Sequence, residues 1–158
     1  MADGMRRLTP AVEFFFIHIL LAIIAFGFNA TYAIWITRAQ RHPEHLDFAL
    51  RGVKILDDYF ANPAYLLLLV SGLTMAFLAG YALTTFWLLS ALVLWFVAIA
   101  LGYGIYTPTL SRQIRVLAKS GPESEAYRTL ATRGTVVGIT LAVLVLLILI
   151  LMVFKPTL

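Results

Sequence analysis

The sequence predicts an all-α fold: a four-transmembrane-helix up-down-up-down bundle, with an amphipathic cytoplasmic helix between spans 1 and 2. Three observations predict it. Hydrophobic residues make up 61% of the 158 residues and charged residues only 13%, about half of the roughly 25% charged content of a soluble domain. Four apolar runs without charge are long enough to cross a bilayer. The basic residues gather at the ends of those runs, where they anchor and orient a membrane protein. The net charge of +4 therefore indicates lipid and not nucleic acid as the partner. The length accommodates a single integral membrane domain, 1–158. The absence of cysteine excludes disulfides, thiolate metal sites and cysteine nucleophiles.

Span 1 is expected at about 9–37. Thr9-Pro10 supplies a cap followed by proline at the first helical position, and Glu13 falls where the helix dipole tolerates a carboxylate. Arg6 and Arg7 ahead of an apolar run could also mark a secretory signal peptide. A signal core is only about 7–15 residues long, whereas this run continues through Tyr32 and Trp35 to Arg38, so it reads as a retained helix.

No charge occurs between Asp58 and Arg112, a stretch too long for one helix. The weak point near its middle, 80–85, predicts a tight turn between span 2 (about 63–83) and span 3 (about 86–106). Asn62-Pro63 marks the start of span 2, and Thr107-Pro108 ends or kinks span 3. Span 4 is expected at about 135–154, closed by Lys155-Pro156.

Four crossings put both termini and the tight turn on one side, with Arg6, Arg7 and Lys155. The other nine Lys and Arg residues fall on the opposite side. Basic excess marks the cytoplasm, so the chain reads as a multi-pass protein of a bacterial inner (plasma) membrane with both termini outside. In Glu44–Phe60, charges recur at steps of three and four, opposite a stripe of Leu46, Ala49, Leu50, Val53, Leu56 and Phe60. That pattern predicts an amphipathic helix along the membrane surface or the bundle end. The second connection breaks at Ser120-Gly121-Pro122, and Glu123 and Glu125 then open a short helix leading into span 4.

His18 is the one ionisable group read as lying well inside an apolar run, and an intramembrane histidine must find a hydrogen-bond partner, a metal or another helix. His18, Ala22, Ala25, Asn29 and Ala33 share one helical face. Span 2 carries Leu68, Gly72, Met75 and Ala79, with Ser71 and Thr74 beside them. His18 and Met75 lie at similar depth from the outer end, so the two could meet as axial ligands of haem b, with His18 the metal ligand. The bland alternative is a histidine that bonds a neighbouring hydroxyl and a methionine that fills space. Trp95, near the middle of span 3, and Asn29 complete the candidate cofactor-binding set. Trp87, Tyr81, Tyr106, Tyr32 and Trp35 read as interfacial anchors. His42 and His45 form a His-x-x-His pair without a third ligand nearby in sequence. No catalytic motif and no glycine-rich phosphate loop occurs.

The segments Phe15-Phe16-Ile17-His18-Ile19-Leu20, Asn62-Pro63-Ala64-Tyr65 through Gly72-Leu73, and Leu151-Met152-Val153-Phe154-Lys155-Pro156 resemble a bacterial family of four-helix integral membrane proteins of unknown function. That family is distantly similar to CopD-type copper-resistance proteins and the HemJ-type protoporphyrinogen oxidase, a four-helix haem b protein. The resemblance implies a first-helix histidine as haem ligand, a position that His18 matches. The oxidase also uses a basic residue in its third helix, and span 3 has none between Phe86 and Tyr106. One membrane histidine and no cysteine supply few ligands for copper.

Two functions follow from different classes. One is a haem b-binding membrane protein with a redox or electron-transfer role. The other is a non-enzymatic scaffold or accessory subunit without a cofactor. A small transporter ranks third, because paired intramembrane charges are missing. A homodimer or larger membrane complex is the expected assembly context, and a bis-histidine haem would need His18 from two copies.

Overall fold

Apolar side chains without charge form helices in hydrocarbon because every backbone polar group must be satisfied within its own segment. The computed structural model describes the backbone from Ala2 to Thr157 and side chains from Val12 to Thr157; Arg6 and Arg7 lie outside the described side chains. Its elements are α1 (Ala2–Gln40), α2 (Leu46–Leu56), α3 (Asn62–Leu78), α4 (Phe86–Leu101), α5 (Thr107–Ser120) and α6 (Glu125–Phe154), with no strand among the described residues. Five-residue π-turns, Asp57–Ala61 and Gly102–Tyr106, join α2 to α3 and α4 to α5 without a break. Four continuous helices result, each long and apolar enough to span a membrane: Val12–Gln40, Pro43–Leu78, Phe86–Ser120 and Glu125–Phe154.

The four apolar runs, the tight turn and the break at Gly121 are where the sequence puts them, but the boundaries shift. Thr9-Pro10 lies within α1 and not at its start. Span 2 ends at Leu78, and Gly80 (φ +71°) turns the chain toward α4. Span 4 is the greater part of one helix that begins at Glu125, where the Ser124 hydroxyl accepts from the Tyr127 amide.

The larger correction concerns the two prolines. Asn62-Pro63 opens α3 within a helix that has already begun at Pro43, and Thr107-Pro108, expected to end or kink span 3, follows a π-turn inside a helix that runs on to Ser120. A proline inside a helix lacks an N–H and its ring crowds the carbonyl four residues back. In each case a π-turn immediately precedes it, with the pre-proline N–H bonding five residues back: Asn62 to the Asp57 carbonyl, Thr107 to the Gly102 carbonyl. The wider turn relieves the crowding and lets the helix continue. The amphipathic segment is therefore an extension of span 2, packed at the bundle end as the second of the two expected placements has it and not lying on a surface.

These extensions exceed a bilayer. The 36-residue helix Pro43–Leu78 measures about 54 Å at 1.5 Å per residue, against a hydrocarbon core of about 30 Å. Its excess, α2, packs with α5, the end of α1 and the start of α6 around a water-excluding core of Leu46, Ala49, Leu50, Val53, Leu110, Ile114 and Tyr127. The predicted stripe is thus buried from Leu46 to Val53, while Leu56 is half-buried and Phe60 exposed. Tyr32 and Tyr106, read as interfacial anchors, belong to this core. Elsewhere the helices present apolar side chains outward: α6 buries only Tyr127, and Val136, Ile139, Val143 and Leu146 are exposed. Such a surface suits lipid as its solvent.

Candidate functional site

Three polar side chains of the spans, His18, Asn29 and Trp95, reach α3. His18 on α1 is half-buried, and its Nδ1 lies 2.9 Å from Ser71 Oγ. The Ser71 hydroxyl also lies 2.8 Å from the Leu67 carbonyl. When its proton goes to that carbonyl, His18 Nδ1 is the donor of the pair and Nε2 carries the free lone pair; when it goes to Nδ1, the roles reverse. Close approach requires Gly72 beside Ser71: a Cβ there would stand 3.1 Å from His18 Cε1, tighter than ordinary van der Waals contact. Glycine thus sets the α1–α3 separation where the imidazole crosses.

Nearer the basic end, the Asn29 amide donates to the Ala25 carbonyl and to Tyr65 Oη, both at 3.0 Å. Trp95 on α4 donates its indole N–H to the Tyr65 carbonyl at 3.3 Å. Three of the four sequence-predicted cofactor residues, His18, Asn29 and Trp95, therefore reach α3. The fourth, Met75, is half-buried, four positions beyond Ser71 on the same face of α3. His42 and His45 are exposed in the loop before α2, on either side of the Glu44 carboxylate at 3.6 and 3.9 Å. Among the described residues no three His, Cys, Asp or Glu assemble as a metal site.

At the opposite end from the basic loops, Lys155 caps α6 and places its ammonium 5.4 and 5.3 Å from the Tyr81 and Trp87 ring centres. The tight turn and the C-terminal segment are tied by this cation–π contact. Trp87 is therefore buried under the end of α6.

Asp57 lies outside the set of residues predicted from the sequence. Its side chain is 5% exposed, and Oδ2 accepts hydrogen bonds from Thr107 Oγ1 at 2.8 Å and Asn62 Nδ2 at 3.3 Å. Both donors are pre-proline residues, one from each π-turn junction, so the two long helices clasp one carboxyl group. None of the five ion pairs among the described residues involves it: Lys54 bonds Asp58, Arg51 bonds Asp47, Arg128 bonds Glu123, and Glu44 meets His42 and His45. On α1, which packs against this π-turn, Tyr32 Oη is buried without a hydrogen-bond partner among the described residues. A buried carboxylate without a cation costs several kcal/mol, and π-turns are frequent at functional sites. The available signal was the pair of adjacent acids Asp57 and Asp58, of which the charged stripe accounts for only the second.

Over residues 14–156 the chain matches the family described as "Predicted integral membrane protein (DUF2269)", and it belongs to that family. No curated protein and no solved structure matches it.

Proposed function

We propose that this member of the family is a non-enzymatic membrane scaffold or accessory subunit, with polar contacts that tie α1 and α4 to α3. The observation that carries this reading is that His18, Asn29 and Trp95 each make a hydrogen bond to α3. Interhelical hydrogen bonds in membranes contribute on average only about 0.6 kcal/mol each. Their use here is to fix register between helices whose apolar surfaces would otherwise slide. Lipid surrounds the bundle, and a larger membrane complex is the assembly context.

The proposed topology is up-down-up-down in a bacterial inner membrane, with both termini outside and the α2–α5 end in the cytoplasm. Arg38, Arg41, Arg51, Lys54, Arg112, Arg115, Lys119, Arg128 and Arg133 support this orientation, against Arg6, Arg7 and Lys155 at the other end. The protein has no cysteine, so single cysteines report position cleanly. In intact cells, Gly4→Cys should react with a membrane-impermeant maleimide, and Glu123→Cys should react only after lysis. Labelling of position 123 from outside would reverse the orientation.

A second reading, haem b with a redox role, is favoured by one feature: Nε2 of His18 has no hydrogen-bond partner among the described residues. A hydrogen-bonded Nδ1 is the usual partner arrangement of a metal-bound imidazole, because it fixes tautomer and ring orientation. Ser71 would be that partner, and Met75 stands one turn away as a candidate second ligand. Absorbance of protein purified from a haem-replete host separates the readings. The scaffold reading predicts no Soret band. A stoichiometric band that disappears in His18→Ala would replace it with haem binding, and a changed redox potential in Met75→Leu would identify the second ligand.

A further inference from the structure

We propose that Asp57 is a proton-binding site, a carboxyl group held as the neutral acid where the two π-turns meet, with the Tyr32 hydroxyl as the acceptor for its proton. Three geometric observations lead there. The side chain is 5% exposed, and among the described residues no cation pairs with it. Its two hydrogen-bond partners, Thr107 and Asn62, are neutral and both serve Oδ2. Tyr32, only 3% exposed, has a hydroxyl with no partner among the described residues, although α1 packs on the π-turn that holds Asp57.

The ionisable groups within electrostatic reach offer no alternative neutralisation. They are Tyr32 from α1, Tyr65 from α3, Tyr103 and Tyr106 from the second π-turn, and Lys54 and Asp58 from the same helix as Asp57. Lys54, the one cation among them, is committed to Asp58. The phenols are weak acids that stay protonated at neutral pH. A proton drawn from the cytoplasmic end would remove the buried charge without any co-reactant. The acid then gains an O–H to donate, and Tyr32 Oη, at present idle, can accept it directly after a side-chain rotation or through one water. Because Thr107 belongs to α5 and Asn62 to α3, gain or loss of this proton alters the hydrogen bonding that clasps the two long helices together.

Infrared spectroscopy of the full chain in lipid nanodiscs at neutral pH tests this directly. The expected result is a carboxylic-acid C=O stretch that moves on 13C-aspartate labelling of the wild-type protein. The band should vanish in Asp57→Asn, which keeps the shape of the acid and an acceptor for Thr107, and shift in Tyr32→Phe. The isotope label needs no substitution, so the wild-type result stands even if a variant fails to fold. The other aspartates are Asp3, Asp47 and Asp58, and the last two hold ion pairs with Arg51 and Lys54. No aspartic-acid band in the wild type, or a band that survives in folded Asp57→Asn, would overturn the assignment. A band that vanishes in Asp57→Asn but is unmoved in Tyr32→Phe would overturn the role of Tyr32.

Discussion

Leu50→Asp is expected to unfold the α2–α5 end of the bundle. Leu50 is 0% exposed, at the centre of the core formed by α1, α2, α5 and α6. Truncating a buried leucine alone costs about 2–5 kcal/mol. Forcing an unpaired carboxylate into the same place adds several kcal/mol more, so the total approaches the whole stability of many domains. Val53→Asp, at a site 2% exposed, should behave alike. Phe48→Asp is the matched control, because Phe48 occupies the same helix at 79% exposure. Thermal melting in detergent, followed by circular dichroism, should show the first two variants losing tens of degrees and the control close to the parent. A parental melting curve for Leu50→Asp would mean that α2 is not packed as described.

The spans and the α2 side of that core were legible from two different rules. Charge-free runs mark hydrocarbon, since charge there is costly, and they located all four spans. The 3.6-residue period marks an amphipathic helix, and it picked out Leu46, Ala49, Leu50 and Val53, all of which are buried. The α5 to α6 break was legible for a third reason: Gly121 adopts φ +76°, a conformation that costs glycine little.

What the sequence hid was continuity. Proline after a polar residue reads as a cap at Asn62-Pro63 and as a stop or a kink at Thr107-Pro108. A π-turn defeats that reading because it inserts one residue into the helical phase, and nothing in local propensity announces it. The same phase shift concealed Asp57. Counting in threes and fours from Asp47 arrives at Asp58, the exposed end of the charged stripe, and leaves Asp57 unassigned, although it is the acid that turns inward. Tyr32 and Tyr106 were misplaced for a related reason: the helices run on past the point where an interface was expected, so both phenols fall within packed protein. His18 was correctly set against span 2, but periodicity could not choose among Ser71, Gly72 and Met75. That choice depends on crossing geometry, and the shortest side chains on the facing helix allowed the approach.

Deleting Tyr59 is expected to destabilise the protein, although its side chain is 74% exposed. Removing one residue from the π-turn Asp57–Ala61 converts a turn closed five residues back into an ordinary turn closed four residues back. The flanking helices stay nearly in phase, because the π-turn holds its extra residue within one turn. What changes is local: Pro63 again crowds a carbonyl within a regular helix, and the clasp of Asp57 with Thr107 and Asn62 loses its present geometry. The expected loss is about 3 kcal/mol, read as a clear drop in melting temperature. Tyr59→Ala is the comparison: it removes the exposed side chain and keeps the residue count, so it should melt within a few degrees of the parent. Equal melting of the two variants would show that the π-turn is not what accommodates Pro63. A loss confined to the deletion would place that accommodation, and with it the position of Asp57, in one inserted residue.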